Sequence, residues 1–212
     1  MPKQKRPASS AIMIDKVTEL ILHDIQIGLL APGAWLKQID LEQRYRCGRP
    51  EVRRALDRLA QKRLVAHVPN RGYHVYRPDG RQEGEVAEIR ILLETGVAGR
   101  IVTAATATDI ALLERLAAEF VRLMADGTTL ELYEANLAFH HHLLSLCGTQ
   151  ELVALVAEIR QRTSATPVHQ WTTRARIEQS AREHDEMIDA VRQADGERLR
   201  TVMTRHIRQQ DR

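Results

Sequence analysis

The sequence predicts a mainly α protein in two parts, with three helices and a β-hairpin in front and an antiparallel bundle of about six helices behind. Three observations carry that expectation. Leu, Ala, Ile, Glu and Arg are abundant while only 4% of the 212 residues are aromatic, a composition that favours helix over sheet. Apolar residues recur at helical spacing along most of the chain. The charge changes sign near Gly80: up to that point 15 Lys and Arg stand against 8 Asp and Glu, a net +7, and the remainder carries 16 against 20, a net −4.

The first helix is expected from Ala11 to about Leu30, with Ile14, Val17, Ile21 and Ile25 on one face until Gly28 and Pro32-Gly33 end the pattern. A short second helix follows from about Gln38 to Tyr45. The third runs from Arg49 to about Lys62, with Val52, Ala55, Leu56 and Leu59 on one face and Arg49, Arg53 and Asp57 on another. Gly48 stands at its N-cap, Pro50 lies in the first turn where a missing N–H does no harm, and Glu51 complements the helix dipole. Leu64 to Val68 and Tyr73 to Tyr76 read as strands around the turn Pro69-Asn70-Arg71-Gly72. This order is that of a helix-turn-helix followed by a hairpin wing.

A basic domain of this design is expected to meet a polyanion, here double-stranded DNA. Arg49 and Arg53 suit guanine edges or phosphates in a major groove, and Arg71 at the hairpin tip suits the adjacent minor groove. For any one of these arginines the alternative is a solvated helix face.

The front part resembles the GntR regulators. Their signature is matched by Pro32-Gly33, by Leu36 to Leu41, by Gly48-Arg49-Pro50-Glu51-Val52-Arg53-Arg54-Ala55-Leu56, and by Arg63-Leu64-Val65 with Arg71-Gly72. Glu42, Gly48, Glu51 and Arg54 depart from the usual Ala, Ser, Pro and Glu. The resemblance implies that Arg49, Arg53, Arg71 and Gly72 contact DNA; Arg54, a gained cation on the same helix, joins that set and bears on the operator sequence. It also implies a pseudo-palindromic operator, a homodimer and action as a repressor.

Arg77-Pro78-Asp79-Gly80 is rich in breakers and reads as a linker, dividing the chain into residues 1–76, a link at 77–83 and a helical domain at 84–212. Helical runs are expected at 84–104, 107–125, 129–147, 150–164, 173–194 and 196–210. Asn136 and His140 lie one turn apart, His184 lines up with Met187, Ile188 and Val191, and His206 with Leu199, Val202 and Met203. Each histidine therefore faces the bundle interior, either as a hydrogen-bonded core residue or as a ligand; His141 and His142 rotate away. Three imidazoles and one amide oxygen suit a divalent ion such as zinc or nickel.

The rest of the chain resembles the FCD effector domain, through Glu88, Arg90 and Glu94, through Asn136 with Phe139-His140, through His184 and Ile188, and through Met203 with His206. The resemblance implies that Asn136, His140, His184 and His206 hold a metal, weakened by Asn136 where the family has Asp. It further implies that Arg90 pairs with the carboxylate of a small organic acid and that this domain dimerises. From the residues alone Arg90 has a second reading, a helical-spacing salt bridge to Glu94. Six helices favour the VanR-like branch over the FadR-like one.

Two other functions stay open. A histidine-rich metal-dependent hydrolase would need a base, with Glu134, Glu183 or Asp185 the residues to nominate. A DNA-binding protein without a ligand would have no need of a polar interior. Cys47 and Cys147 are isolated thiols, and the apolar run from Ile12 is broken by Asp15, Lys16, Glu19, His23 and Asp24. The expectation is a cytoplasmic protein with no membrane partner.

Overall fold

The computed structural model describes residues 7–77, 80–163 and 173–208. They fall into two compact units that divide between Arg77 and Pro78.

The first unit contains α1 (Pro7–Gln26), β1 (Trp35–Leu36), α2 (Gln38–Tyr45), α3 (Arg49–Gln61), β2 (Val65–Val68) and β3 (Gly72–Val75). The apolar stripe of α1, Val17, Ile21 and Ile25, packs with Val52, Ala55, Leu56 and Leu59 of α3, all fully buried. α1 ends four residues before the expected Leu30, because Gly28 takes φ 77 and turns the chain out of the helix. Between α2 and α3, Arg46 is left-handed at φ 50 and its N–H donates to the Glu42 carbonyl, which closes α2.

Gly48 caps α3 in an extended conformation, with Pro50 in the first turn. A Cβ on Gly48 would lie 2.6 Å from a Glu51 carboxylate oxygen, so a larger residue at this cap would require the end of the Glu51 side chain to move.

The strands form one antiparallel sheet in the order β1-β3-β2, with Trp35 opposite His74 and Val65 opposite Val75. The hairpin was expected; β1 was not, since two residues are too few for alternation to register. The wing turns through Asn70 at φ 61 and Gly72 at φ 100. Open space surrounds Gly72, so its backbone conformation alone selects glycine there.

The second unit contains α4 (Gly80–Thr95), α5 (Ala98–Ala104), α6 (Ala107–Asp126), α7 (Thr129–Ser145), α8 (Gln150–Thr163), α9 (Arg174–Arg192) and α10 (Gly196–Arg208). Two expectations need correction. The single helix over 84–104 is two helices, so the unit has seven among the described residues and the count no longer favours the VanR-like branch. The physical reason lies at Gly96-Val97: Val97 caps α5 at φ −106 and ψ 6, and a Cβ on Gly96 would sit 2.8 Å from the Leu92 carbonyl. Residues 80–83, expected in the linker, belong to α4, where Arg81 and Glu85 pair one turn apart at 3.0 Å.

Ile101, Leu113, Phe139, Leu143, Met187 and Leu199 are the largest fully buried side chains of this unit's main core. α10 approaches α5 closely, with a Cβ on Gly196 only 3.0 Å from Gly99 Cα. Thr106 with Asp109 and Thr128 with Glu131 form capping boxes that start α6 and α7. Thr128→Ala is expected to cost about 1 kcal/mol and Thr128→Ser almost nothing, as read from urea unfolding.

Candidate functional site

α3 buries Val52, Ala55 and Leu56 and exposes Arg49, Arg53 and Arg54. Arg49 Nε donates to Gln38 Oε1 at 3.2 Å, tying α3 to α2. The Tyr73 hydroxyl of β3 donates to Asp57 Oδ1 at 2.5 Å; burial and Asp57 push its pKa up, against the pull of the neighbouring Arg53 guanidinium. Arg71 is exposed on the wing turn, and its guanidinium lies 4.9 Å from the Trp35 ring, which itself meets His74 edge-on at 5.2 Å. Trp35 is a participant that sequence reasoning missed. Its role depends on the pairing of β1 with β3.

In the second unit α7 supplies Asn136 and His140, α9 supplies His184 and α10 supplies His206, all buried. One ligating atom from each histidine lies within 4.8 Å of the others, and His140 Nε2 is 3.4 Å from His184 Nε2. Phe139 stacks on the His184 ring at 4.1 Å and Phe120 meets it edge-on at 5.0 Å. Burial drives the pKa of His140 and His184 well below the ordinary histidine range, and burial outweighs Glu183 in lowering that of His206. All three imidazoles are therefore neutral.

Glu183 is fully buried and saturated: Oε2 accepts from Arg176 Nη2 at 2.9 Å and faces His206 Nδ1 at 2.8 Å, while Oε1 accepts from Gln179 at 3.2 Å and Arg205 at 3.3 Å. Burial pushes its pKa up, but His206 and Arg176 prevail and hold it below the usual carboxylate range. The ionised carboxylate assigns the His206 proton to Nδ1 and leaves the Nε2 lone pair available.

The buried Asn136 Oδ1 has no hydrogen-bond donor among the described residues. Three neutral imidazoles and an unsatisfied amide oxygen are the donor set a divalent cation takes, and 3.4 Å between nitrogens suits two ligands at ~2.1 Å from one ion. The residues fit such an ion.

Arg90 Nε donates to Glu94 Oε1 at 2.8 Å, and Arg160 Nη2 of α8 donates to Glu94 Oε2 at 2.6 Å, with all three side chains buried. Burial pushes the Glu94 pKa up, but the two guanidiniums bring it down to about 2. The ion pair is thus in place for Arg90, and Arg160 rather than Arg90 lines a cavity of about 390 Å³ beside His140. Of the bases nominated for a hydrolase, Glu134 and Asp185 are exposed and Glu183 commits both oxygens. His141 is exposed, and half-buried His142 lies 3.8 Å from Asp109.

Residues 85–209 match the model of the FCD domain, and residues 13–75 match that of the bacterial regulatory proteins of the gntR family. The HTH-type transcriptional repressor RspR of Escherichia coli is 23% identical over 195 residues, covering 92% of this chain and 85% of the relative. An HTH-type transcriptional regulator of Streptomyces ambofaciens is 30% identical over 183 residues, covering 84% and 75%. The solved structure of E. coli McbR/YncC shares the fold, with a TM-score of 0.74 at 21% identity over 93% of this chain and 94% of that one. Among the described residues no helix is long and apolar enough to cross a membrane.

Proposed function

The chain belongs to the FCD-domain regulators of the gntR family, which bind DNA and regulate transcription, and from that premise we propose a homodimeric repressor controlled by a small organic acid and a divalent metal ion. The observation that carries the sensing part is the buried cluster of His140, His184 and His206 with the unsatisfied Asn136 oxygen. A core that served packing alone would gain nothing from the Asn136 oxygen and the His184 Nδ1, both buried without a hydrogen-bond partner among the described residues.

In this reading Asn136, His140, His184 and His206 hold the ion, zinc or nickel by donor type. When bound, the ion supplies a fixed positive charge for the acid's carboxylate. Glu183 orients His206 and keeps its proton on Nδ1, and Phe139 and Phe120 fix the His184 ring. Arg90 acts through Glu94, whose carboxylate positions Arg160; the contact expected between Arg90 and the acid passes to Arg160.

On the DNA side Arg49, Arg53 and Arg54 enter the major groove, while Arg71, backed by Trp35, and the Gly72 backbone meet the minor groove. One recognition helix reads too few base pairs for a unique site, so two copies on a pseudo-palindrome supply the specificity. The name of RspR supports repression. The acid controls DNA binding only by preferring one arrangement of the dimer over another.

Genome-wide selection of bound DNA fragments, followed by anisotropy titrations with candidate acids, tests this reading. Arg49→Ala and Arg53→Ala are each expected to weaken operator binding by about 1–3 kcal/mol. Arg71→Ala is expected to change preference at the flanking minor-groove positions. Unchanged affinity in all three would show that α3 is not the reading helix, and light scattering from a monomer at micromolar concentration would remove the dimer.

A further inference from the structure

Two helix faces wall the cavity of about 390 Å³, a volume within the range of small-molecule sites. α7 presents Leu137, His140 and Leu144, and α8 presents Val153, Val156 and Arg160. Each set repeats at three- and four-residue intervals, so a single stripe of each helix faces the space. His140, Leu144, Val153, Val156 and Arg160 are buried and form the floor, whereas Ala138, His141 and Ala157 are exposed and form the mouth.

The floor divides by chemistry. Arg160 and His140 both line this one space from its buried side, so the cationic and polar groups of the floor belong to the same cavity. Leu144, Val153 and Val156 offer no side-chain donor or acceptor. Among the described residues that line the cavity none is a carboxylate. An anionic head group is therefore favoured beside Arg160 and His140, and hydroxyls placed against the leucine and valines would lose water without gaining a partner.

We propose that the acid taken by this cavity is amphiphilic, with its carboxylate at Arg160 and His140 and an aliphatic or aryl body along Leu137, Leu144, Val153 and Val156. The proposal rests on the effector-sensing reading given above and narrows its substrate class, excluding polyhydroxylated acids as the preferred ligand.

Titration calorimetry on the full-length protein, with and without added Zn²⁺, would compare octanoate with gluconate and with octanamide. Octanoate is expected to bind at least about tenfold more tightly than either, since gluconate lacks the apolar body and octanamide the charge. Ala157→Trp fills the mouth from an exposed position, and it is expected to weaken octanoate on the order of tenfold while leaving the melting temperature unchanged. Arg160→Met is expected to weaken octanoate similarly and to leave octanamide unaffected. Gluconate binding as well as or better than octanoate would overturn the amphiphilic class while leaving effector sensing intact. Octanoate affinity untouched by Ala157→Trp would overturn the location. Absence of binding by every acid, together with operator affinity that no acid alters, would overturn both the class and the sensing reading.

Discussion

Glu183→Ala is expected to lower the stability of the FCD unit by about 3–5 kcal/mol, because it strips one buried carboxylate from four donors at once. Arg176, Gln179, Arg205 and His206 all converge on Glu183, which is fully buried. Among the described residues two further nitrogens of Arg176, Nε and Nη1, are already buried without partners, and the remaining acceptor near Nη2 is the His206 carbonyl at a long 3.5 Å, a weak substitute for the lost carboxylate. Urea unfolding followed by circular dichroism provides the measurement. A loss below about 1 kcal/mol would mean that water replaces the carboxylate and that the cluster is less dry than its burial implies. Glu183→Gln retains the volume and one acceptor, and separates the metal from the fold: a folded Gln variant is expected to hold metal on the order of 10–100-fold more weakly, since His206 loses its orienting carboxylate.

Free Zn²⁺ at a thousandfold excess over its dissociation constant is expected to stabilise the protein by about 4 kcal/mol at pH 7, and His184→Ala is expected to abolish that increment. The pH dependence of the metal-free protein follows from the same residues. Burial lowers the pKa of His140, His184 and His206 in the fold, whereas the unfolded chain takes up protons near pH 6.5. The unfolded state thus binds more protons below that pH, so stability is fully present above about pH 6.5 and falls as the pH drops, by up to about 1.4 kcal/mol per pH unit for each histidine. Glu94 adds a second acid limb. Its pKa of about 2 contributes stability that is present above the ordinary glutamate range and lost as the pH falls toward that value. Chelator-treated protein melted across pH 4–8 checks the sign, and a flat profile between 5 and 7 would mean that the histidines titrate in the fold as they do in the unfolded chain. Asn136→Asp is expected to raise metal retention by supplying a formal charge where the native amide is neutral.

Helix phase was legible without any structure. Ile14, Val17, Ile21 and Ile25 share the buried face of α1, and Gly48, Pro50 and Glu51 mark the start of α3 where it occurs. The same phase places Asn136, His140, His184 and His206 inside, because a 3.6-residue repeat is imposed by the backbone and shows wherever one face must be dry. The break at Gly96-Val97 escaped it, since apolar positions continue across the break.

Contacts between faces distant in sequence were decided only by the tertiary structure. Arg90 and Glu94 lie one turn apart under either reading of Arg90, and the arrival of Arg160, 66 residues beyond Glu94, on the other carboxylate oxygen has no counterpart in sequence spacing. Trp35 comes beneath Arg71 because a two-residue strand pairs with β3. The sequence by itself determined the two-part helical architecture, the exposed arginines of α3 and the inward histidines, whereas the tertiary structure decided which buried charges are shared and which buried polar atoms lack a partner among the described residues. The physical reason is that periodicity records which side of an element faces away from water, while a hydrogen bond between elements requires two such sides to meet at a particular height and angle, which leaves no repeat in the chain.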